Sequence, residues 1–127
     1  MPLPVGDVKK ASSAMLQLQL YAIFTVPTSG MEPILQGLEE HLAFQMQLER
    51  EGIMFAAGPM WDDDEREWNG EGLVVVRAAS RSEAIAVAER DPMHRSGARK
   101  FTVRPWMINE GTVTLRLDMS SQRFALL

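Results

Sequence analysis

His41, Asp91 and His94 are the side chains of this 127-residue chain whose type and setting suit proton-transfer chemistry. An imidazole is the usual general acid or base near neutral pH. Counted at about 100° per residue, His41 falls between Ile34 and Leu48, at the flank of an apolar helical stripe and near the edge where helix meets sheet. The other reading of such a residue is structural, a half-buried histidine satisfied by one hydrogen bond. Asp91 stands before Pro92 at the end of a second helical segment, where the macrodipole is negative and a carboxylate is disfavoured unless it has another purpose. Terminating the helix with Pro92 is one such purpose. His94 can join the same site, or bind a metal with His41 and Asp91, since two histidines and a carboxylate form a recognised ligand set. The three come from separate segments with no local ligand spacing, so neither a metal nor another cofactor is expected.

Other chemistries find little footing. The chain has no cysteine, which excludes disulfides, thiolate metal sites and a cysteine nucleophile, and fits a reducing, cytoplasmic setting. The serines include no G-x-S-x-G elbow, and no glycine-rich phosphate loop is present. The acidic run Asp62-Asp63-Asp64-Glu65 lacks the alternating spacing and central glycine of a calcium loop. A net charge of −4 with thirteen scattered Lys and Arg argues against nucleic acid as partner. Trp61, Trp68 and Trp106 are too separated for a base-stacking platform. Trp61 follows the Gly58-Pro59 turn and is read either as a lid over ligand or as a loop anchor. The apolar stretch from Ala14 to Val26 is interrupted by Gln17 and Gln19 and is too short to span a bilayer; its alternation reads as a strand.

The elements that must position these residues follow from periodicity. Residues 1–14 form an arm without pattern. From Met15, Leu16, Leu18, Leu20, Ala22, Phe24 and Val26 share one strand face, expected to meet the helices; Tyr21, Ile23 and Thr25 lie on the other. A helix is predicted from about Met31 to Arg50, with Pro33 in its first turn, a buried stripe of Met31, Leu35, Leu38, Leu42 and Met46, and Gly52 at its end. Ile53–Ala57 reads as a short buried strand stopped by Gly58-Pro59, followed by a polar loop over 60–72. The run Leu73–Val76 predicts a strand covered on both faces. Ser80 and Glu83 form a capping box for a second helix that buries Ala84, Ile85, Val87 and Ala88. Phe101–Ile108 is a fourth strand, Asn109-Glu110-Gly111 a hairpin turn, and Val113, Leu115 and Leu117 a fifth strand. The domain is expected over 15–119, with 120–127 a tail.

This order is β-α-β-β-α-β plus an appended strand, the ferredoxin-like α+β pattern with both helices on one sheet face. The other face, assigned Tyr21, Ile23 and half of the Val74–Val76 run, needs a cover, and a second copy in a twofold homodimer is the simplest one.

The punctuation of the chain resembles the YCII-related (YciI-like) family: His41-Leu42 and Leu48–Gly52 in the first helix, Ala57-Gly58-Pro59 after the next strand, Asp91-Pro92, and Phe101-Thr102-Val103-Arg104-Pro105-Trp106. The likeness covers roughly Leu16 to Trp106. It implies a ferredoxin-like fold, a dimeric α/β barrel of two back-to-back sheets, and a site centred on His41 and Asp91, with the carboxylate accepting the imidazole N–H. Tyr21, Gly58, Pro59, Trp61, His94 and Trp106 are the expected substrate-binding residues. The long arm, the acidic loop and the residues after Trp106 depart from small family members. Three functions stay open: a cofactor-free acid–base enzyme of the isomerase, lyase or dehydrochlorinase kind acting on a small molecule, a non-catalytic small-ligand-binding or regulatory barrel, and a purely structural dimerisation module.

Overall fold

The computed structural model describes residues 1–127, which fall into two compact units: Gln19–Trp106, and Met1–Leu18 together with Met107–Leu127. In chain order the elements are α1 (Val5–Ala11), β1 (Leu18–Pro27), α2 (Glu32–Arg50), β2 (Met54–Pro59), β3 (Gly72–Val76), α3 (Arg81–Glu89), α4 (Pro92–Ser96), β4 (Arg99–Ile108), β5 (Leu115–Asp118) and β6 (Arg123–Leu126). No helix is long and apolar enough to cross a membrane.

The larger unit carries the β-α-β-β-α-β order, with the short α4 added before the last strand. Its four strands form an open sheet in the order β2-β3-β1-β4, the ferredoxin-like arrangement. Leu48 of α2 and Ala84, Val87 and Ala88 of α3 share one core with Tyr21, Ile23, Val74, Val76 and Val103, so both helices cover the same face. Tyr21 pairs with Val76 and Ile23 with Val74 across antiparallel β1 and β3. The helix-facing set of β1 is therefore the reverse of the one expected. Alternation specifies which residues share a face, not which face meets the helices, and both sets here are apolar. Tyr21 and Ile23 are covered by the chain's own helices, so they give no reason for a second copy. Leu20, Ala22 and Val75 are buried as well, and the β3 run is closed on both sides as its composition predicts.

The stripe of α2 also differs from expectation. Ile34, His41 and Leu48 are its buried residues, whereas Leu35, Leu42 and Met46 are exposed. Residues seven apart lie nearly on one line of a helix, and this line runs through the histidine. The helix stops as predicted: Gly52 takes φ +73°, its N–H donates to the Glu49 carbonyl, and Ile53 N–H donates to Leu48. This is a Schellman closure, with Ile53 packed on the core around Leu48. β2, expected to be buried, is an exposed edge strand with a bulge between Met54 and Ala56, and Gly58 and Pro59 form its last two residues. Proline is tolerated on such an edge.

In the smaller unit the supposed arm contains α1. The fifth strand does not extend the four-stranded sheet. It pairs with β6, inside the segment read as a tail, setting Leu115 opposite Leu126 and Leu117 opposite Phe124.

The two candidate stripes of α2 are separable by substitution. Leu48→Ala should cost about 2–5 kcal/mol, the usual range for a buried leucine, while Leu35→Ala should cost less than about 1 kcal/mol. Urea unfolding midpoints of the two variants check the assignment; equal losses would contradict it.

Candidate active site

Asp91 is where the site begins. Rather than closing α3, it is the N-cap of α4, with Pro92 in the first turn where its missing N–H does no harm. One carboxylate oxygen, Oδ1, accepts the Met93 N–H at 2.9 Å. The carboxylate thus sits at the positive end of a helix, not the negative end inferred from sequence. The other oxygen, Oδ2, lies 2.8 Å from Nδ1 of His41 and accepts its proton. Burial is the largest influence on this carboxyl and pushes its pKa up. The hydrogen bond and charge of His41 with the Met93 N–H outweigh burial, and the net shift is downward.

With Nδ1–H given to Asp91, the ring presents a lone pair at Nε2. Two donors stand near it, the Gln45 amide nitrogen at 3.3 Å and Nη1 of Arg99 at 3.4 Å. Arg99 opens β4 on the same face as Phe101 and Val103 and is only 5% exposed. Its Nε and Nη2 both donate to the Gly70 carbonyl, at 3.1 and 2.8 Å. Burial lowers the Arg99 pKa, opposed by the charge of Asp91. Gly70 is required at its position: it has φ +80°, and a Cβ there would stand 2.6 Å from Pro27 Cγ and 3.0 Å from Met31 Sδ.

His94 forms a second, separate arrangement. Its Nδ1–H donates to the Ala88 carbonyl at 2.7 Å, so Nε2 accepts the Thr25 hydroxyl at 2.8 Å, and its ring lies 4.5 Å from that of Phe101. Both ring nitrogens are thereby engaged, which leaves neither for a metal. Burial dominates and lowers the His94 pKa, so the neutral ring is favoured.

A cavity of about 380 Å³ opens between α2 and the β2–β3 side of the sheet. His41, Gln45, Arg99 and Thr25 supply its polar wall, and Leu38, Leu42 and Met46 much of its apolar one. Gly58 and Pro59, named from the sequence as substrate-binding candidates, line it. Tyr21 lies in the core, and His94 stands behind Thr25. Trp61 and Trp106 are exposed and do not line the cavity; Trp68 does, its indole N–H donating to the Glu71 carbonyl at 2.8 Å. Arg99 and Gln45 escaped the sequence reading. Gln45 is one helical turn from His41, and Arg99 shares strand parity with Phe101 and Val103, which is the signal that could have found each.

Residues 19–107 match the model of the YCII-related domain, most of the chain. The chain belongs to the YCII-related family. No curated protein sequence matches it. Among solved structures, a 5-chloro-2-hydroxyhydroquinone dehydrochlorinase from Burkholderia phenoliruptrix, in complex with 2,5-dihydroxybenzoquinone, is similar at a TM-score of 0.56 and 20% identity. The match covers 68% of this chain and 92% of that one, and at that identity it speaks for a shared YCII fold.

The buried titrating groups give the fold a pH dependence with a definite sign. Unfolded, His94 binds a proton below about 6.5, while the folded ring resists it, so the unfolded state holds more protons and stability falls as pH drops below 6.5. Asp91 adds a further loss below about 3.8, where the unfolded carboxyl protonates before the folded one. Unfolding midpoints measured between pH 7.5 and 5 should decline for the native chain, and His94→Gln should flatten that slope.

Proposed function

We propose that this YCII-related chain is a small-molecule enzyme that moves a proton in the cavity beside α2, with His41 as general acid/base and Asp91 as the carboxylate that fixes and supports it. The observation that carries this reading is the 2.8 Å His41–Asp91 bond, with the opposite ring nitrogen beside Gln45 and Arg99, residues that line a cavity together with His41. Asp91 holds the proton of Nδ1, which fixes the tautomer with the lone pair at Nε2, and it offsets the charge of the imidazolium formed when Nε2 takes a proton. Gln45 suits both states. Its amide nitrogen now points at Nε2, and its Oε1 is buried without a partner; turned over, the amide presents that oxygen to a protonated Nε2–H.

A cavity of about 380 Å³ takes a molecule of roughly one ring. Small cyclic or enolisable compounds fit that size and the proton-transfer chemistry of isomerisation or elimination. The solved neighbour is named for a dehydrochlorination, the loss of one proton and one chloride, and was captured with a hydroxylated quinone. Such compounds are therefore the first substrates to try.

A panel of chlorinated and plain hydroxyhydroquinones, followed by chloride release and ring absorbance, tests the reading. The native chain should turn over at least one member. His41→Asn should reduce turnover below detection with the circular dichroism unchanged. Asp91→Asn should lower kcat about 10²- to 10⁴-fold. Unchanged turnover in His41→Asn would exclude acid–base catalysis by this ring. Binding of 2,5-dihydroxybenzoquinone by a native chain that turns over nothing would instead favour a ligand-binding role.

We also propose that the chain works as a homodimer. Leu35, Leu42 and Met46 expose an apolar side of α2, and Leu115, Leu117, Phe124 and Leu126 are exposed on the hairpin. Light scattering should give twice the chain mass at micromolar concentration; a monomer mass would refute it.

A further inference from the structure

Arg99 is a buried cation without a carboxylate partner. None of its nitrogens lies in an ion pair with Asp or Glu, although the residue is 5% exposed. A guanidinium has five N–H donors. Two are spent on the Gly70 carbonyl and one faces the His41 lone pair. The remaining N–H groups have no acceptor in the protein, and Arg99 lines the cavity. Asp91 acts on this charge without touching it, and buried N–H donors left without an acceptor are costly.

We infer that Arg99 is the oxyanion-binding group of the cavity and that the ligand class is a small ring or enol with one weakly acidic hydroxyl, held as its oxyanion against the guanidinium. The placement of His41 decides between a hydroxyl and an acid that arrives already ionised. Nε2 and Nη1 are 3.4 Å apart, a lone pair beside a donor. A hydroxyl set between them gives its proton to Nε2, and its oxygen keeps the electron pair and accepts from Nη1. Charge balances within the site: Asp91 and the oxyanion are negative, the imidazolium and Arg99 positive. A carboxylate would bring its charge against the Nε2 lone pair with no proton to give. Gly70 keeps the guanidinium aimed, because its carbonyl takes Nε and Nη2 and leaves Nη1 toward the ring. The inference shares its cavity with the acid–base reading, but it concerns binding and needs no turnover.

Three probes of one ring size separate the possibilities: 4-nitrophenol, whose visible band reports its ionisation, 4-nitroanisole, which has no proton to lose, and 4-nitrobenzoate, which is charged throughout. The native chain should bind the phenol as phenolate, even at a pH where the free phenol is mostly protonated. It should hold the phenol about 10- to 100-fold more tightly than the anisole, the range expected of a hydrogen bond to a charged group. The benzoate should bind no better than the anisole. Arg99→Gln should lose the phenolate band and the preference while still taking the anisole. Arg99→Lys, which keeps the charge, should retain part of both.

Phenol bound in its protonated form, failure of the phenol to bind, or tighter binding of benzoate than of phenol would each overturn the assignment in the native chain, whatever the variants do. Equal loss of phenol and anisole in Arg99→Gln would make Arg99 a structural clamp on Gly70 instead. Phenolate selectivity that survives in a chain with no turnover would leave this inference standing while the catalytic reading fell.

Discussion

The two oxygens of Asp91 do different work, and the rest of the site depends on their division. Oδ1 closes the first turn of α4 through Met93, and Oδ2 holds the proton of His41 on α2. One carboxylate thus joins the start of one helix to the middle of another. Both side chains are almost fully buried, so the hydrogen bond is shielded from water. In such surroundings a hydrogen bond to an ionised group is strong, and losing either partner leaves a buried polar atom unsatisfied. The histidine tautomer is set by the same bond that caps α4.

A second fixed point, Gly70, lies at the end of the polar loop. Its left-handed backbone and close approach to Pro27 and Met31 admit no side chain, and its carbonyl orients Arg99. Trp68 packs near Ile34 and Met93, the cluster that borders Asp91. The loop that looks merely solvated in sequence is therefore tied, at its last residues, to the polar wall of the cavity. Its acidic stretch, Asp62 to Glu65, remains mostly exposed, and Asp62 accepts the Asn69 side chain at 2.7 Å.

Much of this was legible before any coordinates. The β-α-β-β-α-β order of the larger unit, the Gly52 stop, the Ser80 cap and the doubly covered Val74–Val76 strand followed from local rules that tertiary structure did not override. The pair His41 and Asp91 was reached through family likeness, and its geometry was not readable, because the two stand fifty positions apart and no local pattern links them. Two misreadings share one cause. In α2 a periodicity argument picks out Met31, Leu35, Leu38, Leu42 and Met46, of which Met31 and Leu38 do pack on the core while the other three are exposed. It passes over the buried 34-41-48 line, which carries a histidine. In β1, both alternate sets are apolar. Periodicity assigns residues to faces; only the packing partner says which face is inside. The placement of Asp91 failed for a different reason. A proline at the next position ends one helix and equally well starts another, and the five-residue α4 is too short to show a period.

The misread stripe of α2 explains where the cavity is. Leu42 and Met46 look like core residues because they are apolar at helical spacing, yet they line an open pocket. The helix buries the 34-41-48 line and turns its second apolar line toward the edge strand β2. There the sheet offers Ala57, Gly58 and Pro59, whose small or absent side chains leave volume unfilled. Gly72 keeps the floor equally low, since a Cβ on it would come within 3.4 Å of both the Gly58 carbonyl and Thr25. A leucine-rich helix face opposite a strand of small residues makes an apolar cavity rather than a closed core. His41 stands on the buried line itself, with Nδ1 on a buried carboxylate and the residue bordering the cavity. The apolar residues that mislead a reading of the core thus form the wall of the cavity that His41 borders.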